Sequence, residues 1–192
     1  MKLSILIPTT PDREHFMVNL RAEIDRQIQD GHYEGLVQYI EYRDNYQNTI
    51  GYKRNKLLEI AQGDYVAFID SDDRISPNYL RLVMDGIKKD IDCCSLLGII
   101  TEDGINPQLF EHSLKYKSYK TITDSKEGEI KYERYPNHLN CIKASIAKQF
   151  KFPEVNHGED TDFATQIFRS SLIKTEHYIP EVIYYYDYIR KK

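Results

Sequence analysis

Three short apolar runs, Leu3–Ile7, Leu36–Tyr42 and Tyr65–Ile69, are separated by segments of helical character around Glu14–Gln29 and Ile50–Ala61. Runs of that length read as buried strands, and the strand–helix–strand order predicts right-handed crossovers and hence a mainly parallel central sheet. The pattern continues with a helix from Pro77 to Lys89 and a strand over Asp92–Ile100. Helices on both faces of such a sheet complete an α/β fold. At 192 residues, 41% of them hydrophobic, the chain can fill one such core and is too short for two ordinary domains with a linker, so a single domain over 1–192 is expected.

The character changes after Thr101-Glu102-Asp103-Gly104, a turn signal followed by a polar, Tyr- and Lys-rich stretch up to Tyr135-Pro136. This stretch predicts irregular or short antiparallel structure. Beyond it, Leu139–Ile142 reads as a strand, Lys143–Phe150 as a short helix, Glu159–Ser171 as a longer one and Val182–Tyr188 as a closing strand. A net charge of −4 supplies no global positive field to recruit nucleic acid or an anionic membrane. Pro8 cuts the first apolar run too short for a signal-peptide core or a transmembrane segment. Cys93, Cys94 and Cys141 have neither a disulfide framework nor metal-ligand spacing, which predicts buried thiols and a reducing, cytoplasmic setting.

The chemistry concentrates at Asp70-Ser71-Asp72-Asp73, directly after the apolar Tyr65–Ile69. Ligand sites in open α/β sheets lie outside the carboxyl ends of the strands. In an extended segment Asp70 and Asp72 point to the same side, so two hard oxygen donors converge where one divalent cation fits. The plain alternative is a solvated turn leading into the helix begun at Ser76-Pro77. An EF-hand calcium loop is ruled out by Ile75 and Arg81, which stand where it needs Gly and Glu. A haloacid-type phosphatase is ruled out by Arg74, where Thr or Val belongs.

Leu3-Ser4-Ile5-Leu6-Ile7-Pro8-Thr9-Thr10, Gly51-Tyr52-Lys53-Arg54-Asn55, Gly63 through Asp73 and Gly158-Glu159-Asp160 form an ordered set that resembles the family two glycosyltransferases of the GT-A fold. The resemblance is close over residues 1–85, moderate over roughly 138–170 and absent between about 104 and 136. It implies that Pro8 and Thr9 cradle a nucleoside, that Asp44 contacts the base and that Arg54 lies near the nucleotide. The family often shows Asp-Asp after its second strand, where this chain has Arg43-Asp44-Asn45. The resemblance further implies that Asp70, Asp72 and Asp73 hold Mn²⁺ or Mg²⁺ against the donor diphosphate, with Asp70 and Ser71 among the donor-binding residues. Asp187 falls where the family can place a further metal ligand; the plain alternative there is a Tyr-rich strand.

Asp160 matches the Asp of the family's Glu-Asp motif, the usual base for an acceptor hydroxyl. The plain alternative is that acids in a helix's first turn complement its dipole. Helical spacing puts Asp160 on the face of Phe163, Ala164 and Ile167, so its carboxylate is expected to point inward. The resemblance thus implies a metal-dependent, inverting glycosyltransferase, with a nucleotide-sugar half over 1–100 and an acceptor half over 101–192. The donor would be a nucleotide sugar with uracil as the default base. The acceptor stays open among saccharide, lipid-linked sugar, protein and modified nucleic-acid base, though a short chain favours a small or externally supplied one. Two other readings remain: a nucleotidyltransferase, disfavoured because Pro8-Thr9-Thr10-Pro11-Asp12-Arg13 replaces a Gly-rich phosphate loop, and a non-catalytic saccharide- or protein-binding module.

Overall fold

All seven residues of the first strand, β1 (Leu3–Thr9), are buried, as a strand covered on both faces requires. In the computed structural model, which describes residues 1–126 and 128–188, helix α1 (Glu14–Asp30) crosses from β1 to β2 (Val37–Arg43), and α2 (Ile50–Ile60) crosses back to β3 (Tyr65–Phe68). Both strands pair with β1 in parallel, Leu3 facing Val37 and Tyr65, and Leu6 facing Ile40 and Phe68. The alternation along β1 divides the core. Leu3, Ile5 and Ile7 pack with Met17, Leu20 and Ile24 of α1, whereas Leu6 packs with Leu57 and Leu58 of α2. Helices therefore cover both faces, as predicted.

The chain continues through β4 (Arg74–Ile75), α3 (Tyr79–Ile87), β5 (Cys93–Cys94), β6 (Leu96–Glu102), β7 (Ile105–His112), β8 (Lys120–Thr121), β9 (Ile130–Arg134) and β10 (Ile142–Lys143). It closes with α4 (Ala144–Ala147), α5 (Glu159–Ser170), β11 (Glu176–His177) and β12 (Val182–Tyr188). One sheet has the order β11-β5-β10-β3-β1-β2 and is parallel except at β10. A second sheet, β4-β12-β6-β7-β9-β8, mixes both senses.

The second sheet departs from the sequence reading in two places. The run expected as one strand over Asp92–Ile100 is two, because the chain leaves the first sheet after Cys94 and enters the second at Leu96. Ser95, buried at the break, donates its N–H to His177 O at 2.9 Å and accepts at Oγ from Ile179 N at 2.7 Å. A continuous apolar run carries no mark of which sheet each half joins. Residues 104–136, expected as irregular or short, contain the eight-residue β7. Pro107 removes a donor there and hides the strand signal; pairing with β6 and β9 supplies the order.

No helix among the described residues is long and apolar enough to cross a membrane. Cys93, Cys94 and Cys141 are free and buried.

One close approach carries the C-terminal part onto the first. Gly51, in the first turn of α2, donates to Val155 O at 3.2 Å, and a Cβ on it would lie 1.9 Å from Pro153 O. Gly51→Ala is therefore expected to lower stability by about 1–3 kcal/mol, the usual cost of overpacking a closed contact. Urea denaturation measures it, and amide exchange should localise the loosening to residues 153–170.

Candidate active site

β3 ends at Phe68, and the chain then turns, with Asp73 N donating to Asp70 O at 3.0 Å. The two-residue alternation that would aim Asp70 and Asp72 together holds only in an extended strand. The turn changes the partner. Asp70 and Asp73 line a cavity of about 560 Å³, while Asp72 Oδ1 accepts from Arg13 Nη1 at 2.7 Å and Ser71 Oγ from the same nitrogen at 3.3 Å. Asp70 and Asp73 thus share the cavity, while Asp72 beside them is held by Arg13.

Arg54 of α2 organises the floor of this cavity. Its side chain is only 4% exposed. Nη2 donates to Asp70 Oδ1 at 2.8 Å, Nη1 donates to Glu159 Oε1, and the Phe152 ring lies 5.6 Å from the guanidinium carbon. Burial alone would lower the Arg54 pKa, but Asp70, Glu159 and Asp160 outweigh it and raise it. Burial likewise acts to raise Asp70, yet the Arg54 charge and then His138, whose Nε2 is 3.8 Å from Asp70 Oδ2, hold it far below the usual carboxylate range.

Asp73 behaves in the opposite way. Burial, and then the Asp70 charge, push its carboxyl well above the usual value despite a hydrogen bond from Tyr184. The Tyr184 hydroxyl, fully buried on β12, accepts from Asp70 N at 3.2 Å and donates to Asp73 Oδ2 at 2.6 Å. Asp73 Oδ1 is buried with no hydrogen-bond partner. Among the described residues no three acids, thiols or imidazoles are gathered to hold a metal. Two carboxylates, one with an orphaned oxygen, are the partial donor set that a hard cation completes with water and substrate phosphates. The residues present therefore fit Mg²⁺ or Mn²⁺.

The other expected residues fall in three places. Pro8 and Thr9 are buried at the end of β1, where Thr9 O accepts from Lys53 Nζ at 3.2 Å. Asp44 pairs with the same Lys53 and accepts from Asn48 N and Nδ2 at 2.9 Å each. Burial opposes ionisation of Asp44, but these bonds hold its pKa below the usual value. Asp160 lines the cavity, half-buried, instead of packing into the core. The buried residues of α5 are Glu159, Phe163, Ala164 and Ile167; Asp160 stands about 100° from Glu159 by one residue step and within about 60° of the other three. Asp187 does not join the group. Tyr184 and Tyr186 point to the cavity side of β12, so Asp187, of opposite parity, pairs with Arg74 Nη2 at 3.1 Å and with Thr101.

Sequence reasoning passed over Glu159, Lys53, Tyr184 and His112. Glu159 and Lys53 lie inside the quoted motifs, beside residues that were singled out. Tyr184 reads as an ordinary strand tyrosine. His112 and His138, each at most 5% exposed, line the cavity, and burial holds the His112 imidazole down to about 3, so it is neutral at physiological pH.

The sequence profile described as Glycosyl transferase family 2 matches residues 22–149. Among curated proteins the chain is similar to EpsH of Bacillus subtilis (strain 168), whose name carries a provisional glycosyltransferase label. The two are 27% identical over 148 residues, covering 71% of this chain and 41% of EpsH. Among solved structures it is similar to S. aureus TarS 1–349 in complex with UDP-GlcNAc, with a TM-score of 0.65 at 18% identity over 100% of this chain and 60% of that one. It is also similar to the same protein with UDP, with a TM-score of 0.63 at 19% identity over 97% and 60%. At such identities the TarS likeness is one of fold, and the fold is GT-A-like. The chain spans about two fifths of EpsH and three fifths of TarS 1–349.

Two stability measurements test the electrostatics. Arg54→Met strands buried Asp70 and Glu159 and should cost about 3–5 kcal/mol, whereas Lys56→Met, on an exposed pair with Glu59, should leave the urea midpoint essentially unmoved. Asp73, raised on folding, costs stability as pH climbs from its unfolded pKa through its folded one; Asp70, lowered, contributes stability that is lost as pH falls. Relative to wild type, Asp73→Asn should therefore gain stability as pH rises above about 4, whereas Asp70→Asn should show a full and constant deficit above about pH 4 that shrinks as pH falls below it.

Proposed function

The chain belongs to glycosyl transferase family 2, and from that premise we propose that it transfers a sugar from a nucleoside-diphosphate donor to an acceptor hydroxyl. The observation that carries this reading is the Arg54 clamp, which holds Asp70 at the strand end and Glu159 at the start of α5 on one cavity floor. S. aureus TarS has been solved with UDP-GlcNAc and with UDP, which supports a UDP-sugar donor. The nucleoside would lie at the end of β1 near Pro8 and Thr9, with Asp44, kept ionised by Lys53, accepting from a base N–H.

Asp70 and Asp73, with Asp72 alongside, would hold Mn²⁺ or Mg²⁺, which supplies charge neutralisation for a departing diphosphate. Arg54 keeps Asp70 ionised for that task. Asp160 is the general base: it takes the acceptor's proton as the acceptor oxygen bonds to the anomeric carbon and the bond to the diphosphate oxygen breaks. A single displacement from the opposite face inverts the configuration. Residues 1–100 serve the donor and 101–192 the acceptor. The three buried free thiols support a reducing, cytoplasmic setting.

A UDP-release assay with UDP-GlcNAc tests the base. Asp160→Asn should cut turnover by about 10² to 10⁴, the usual contribution of a positioned base, with donor affinity little changed. Asp162→Asn should be nearly silent, since that carboxylate is exposed and bonded to Gln166 Nε2. Equal losses in both would remove Asp160 from the role, and donor binding without UDP release for any hydroxyl acceptor would favour a binding module. Calorimetry with UDP should show tighter binding in Mn²⁺ than in chelator, and Asp73→Asn should weaken the Mn²⁺-assisted part more than Asp72→Asn does. Equal affinity with and without metal would overturn the metal role.

A further inference from the structure

The cavity has a second end, built unlike the carboxylate floor. Arg134, the last residue of β9, is half-buried there. Its Nη1 donates to Lys120 O at 2.6 Å and to Glu133 O at 2.8 Å, and its guanidinium carbon lies 4.8 Å from the Tyr119 ring centroid and 5.4 Å from that of Tyr132. Tyr119 in turn lies 4.5 Å from Tyr135, which stacks at 4.4 Å on Phe168 of α5. The cation is thus held in one position by two carbonyls and an aromatic column.

Among the described residues Arg134 has no carboxylate partner. Arg13, Arg54 and Arg74 each hold an acid within 3.1 Å, whereas no acid among the described residues lies within ion-pair distance of Arg134, and burial lowers its pKa by more than Tyr119 and Tyr132 raise it. A half-buried guanidinium, fixed on two rings with no acid beside it among the described residues, is a site that an oxyanion completes. Independent signs of a missing ligand stand beside it. His112, in register with Arg134 across β7 and β9, is nine-tenths buried or more, lines the cavity and has Nδ1 without a hydrogen-bond partner. The Tyr119 hydroxyl is likewise buried and unpartnered.

We propose that Arg134, backed by Tyr119 and Tyr132, is a subsite for an anionic group, phosphate or carboxylate, carried by the acceptor saccharide. This rests on the glycosyl-transfer reading and deepens it. The geometry favours acceptor over donor. Arg134 belongs to the second sheet, away from the ends of β1 and β3, and the charge of Asp160 reaches both Arg54 and Tyr119, so the proposed base stands between the carboxylate floor and the aromatic wall. An acceptor anchored at Arg134 with its ring against the tyrosines would present a hydroxyl toward Asp160.

The test is a calorimetric titration of inorganic phosphate, glucuronate and glucose into the intact chain, without nucleotide and then with saturating UDP and Mg²⁺. Phosphate or glucuronate, or both, should bind and persist in the presence of UDP, and the stronger of the two names the anion. Glucose should bind more weakly than either. Arg134→Gln should weaken anion binding about tenfold or more, the effect of losing a charge-assisted hydrogen bond, while UDP affinity stays unchanged. Arg134→Lys, which keeps the charge, should retain most of it and stands in should the Gln variant fail to fold. Displacement of the anions by UDP would assign Arg134 to the donor, and equal anion binding in wild type and variants would remove the subsite. If UDP fails to bind yet the anion remains sensitive to Arg134, the transferase reading falls and the subsite stands.

Discussion

A guanidinium taken out of water costs on the order of several kcal/mol unless ionised partners surround it, and Arg54 meets that demand by drawing together two acids from distant parts of the chain. Asp70 follows the third strand of the parallel sheet and Glu159 opens α5, 105 residues from Arg54. The bridge does more than neutralise charge. It fixes α5 against the strand ends, with Phe152 under the guanidinium and stacked at 3.9 Å on Phe163. Asp160, one residue beyond Glu159, lines the same cavity.

The second sheet closes the same site from the other side. Tyr184 satisfies Asp70 N and Asp73 Oδ2 with one hydroxyl, so β12 is anchored to the turn that bears the acids. Alternation along β12 then sends Tyr186 to the cavity and Asp187 to Arg74. The Ser95 crossover, which moves the chain between sheets, brings β6 alongside β12 and so makes that anchoring possible.

Two carboxyls on one turn are driven apart in acidity: Asp70 is held ionised by Arg54, and Asp73 is pushed up by burial and by Asp70 itself. An arrangement that leaves a buried carboxylate oxygen without a partner is worse for stability than an apolar filling would be. Such local conflict is the usual mark of residues kept for binding. The cavity is polarised as well, with acids on the floor and the unpaired Arg134 on the far wall, so opposite ends favour opposite charges in whatever fills it.

What the sequence determined by itself is the alternating architecture from β1 to β3, the strand end that bears the acids, and the family. Burial on both faces of β1, crossover helices and turn chemistry are local signals, written within a few residues of where they act. What only the tertiary structure decided is which side chains meet. The turn after β3 set Asp73 beside Asp70 in the cavity and Asp72 against Arg13, α5 buried Glu159 against Arg54, and β12 turned Asp187 toward Arg74 and Thr101. Pro107 hid a strand that its neighbours order. These outcomes depend on partners far along the chain, such as Tyr184 acting on Asp73 across 111 residues. Short-range periodicity carries no record of a contact between residues so far apart; burial and charge pairing settle it once the chain has folded.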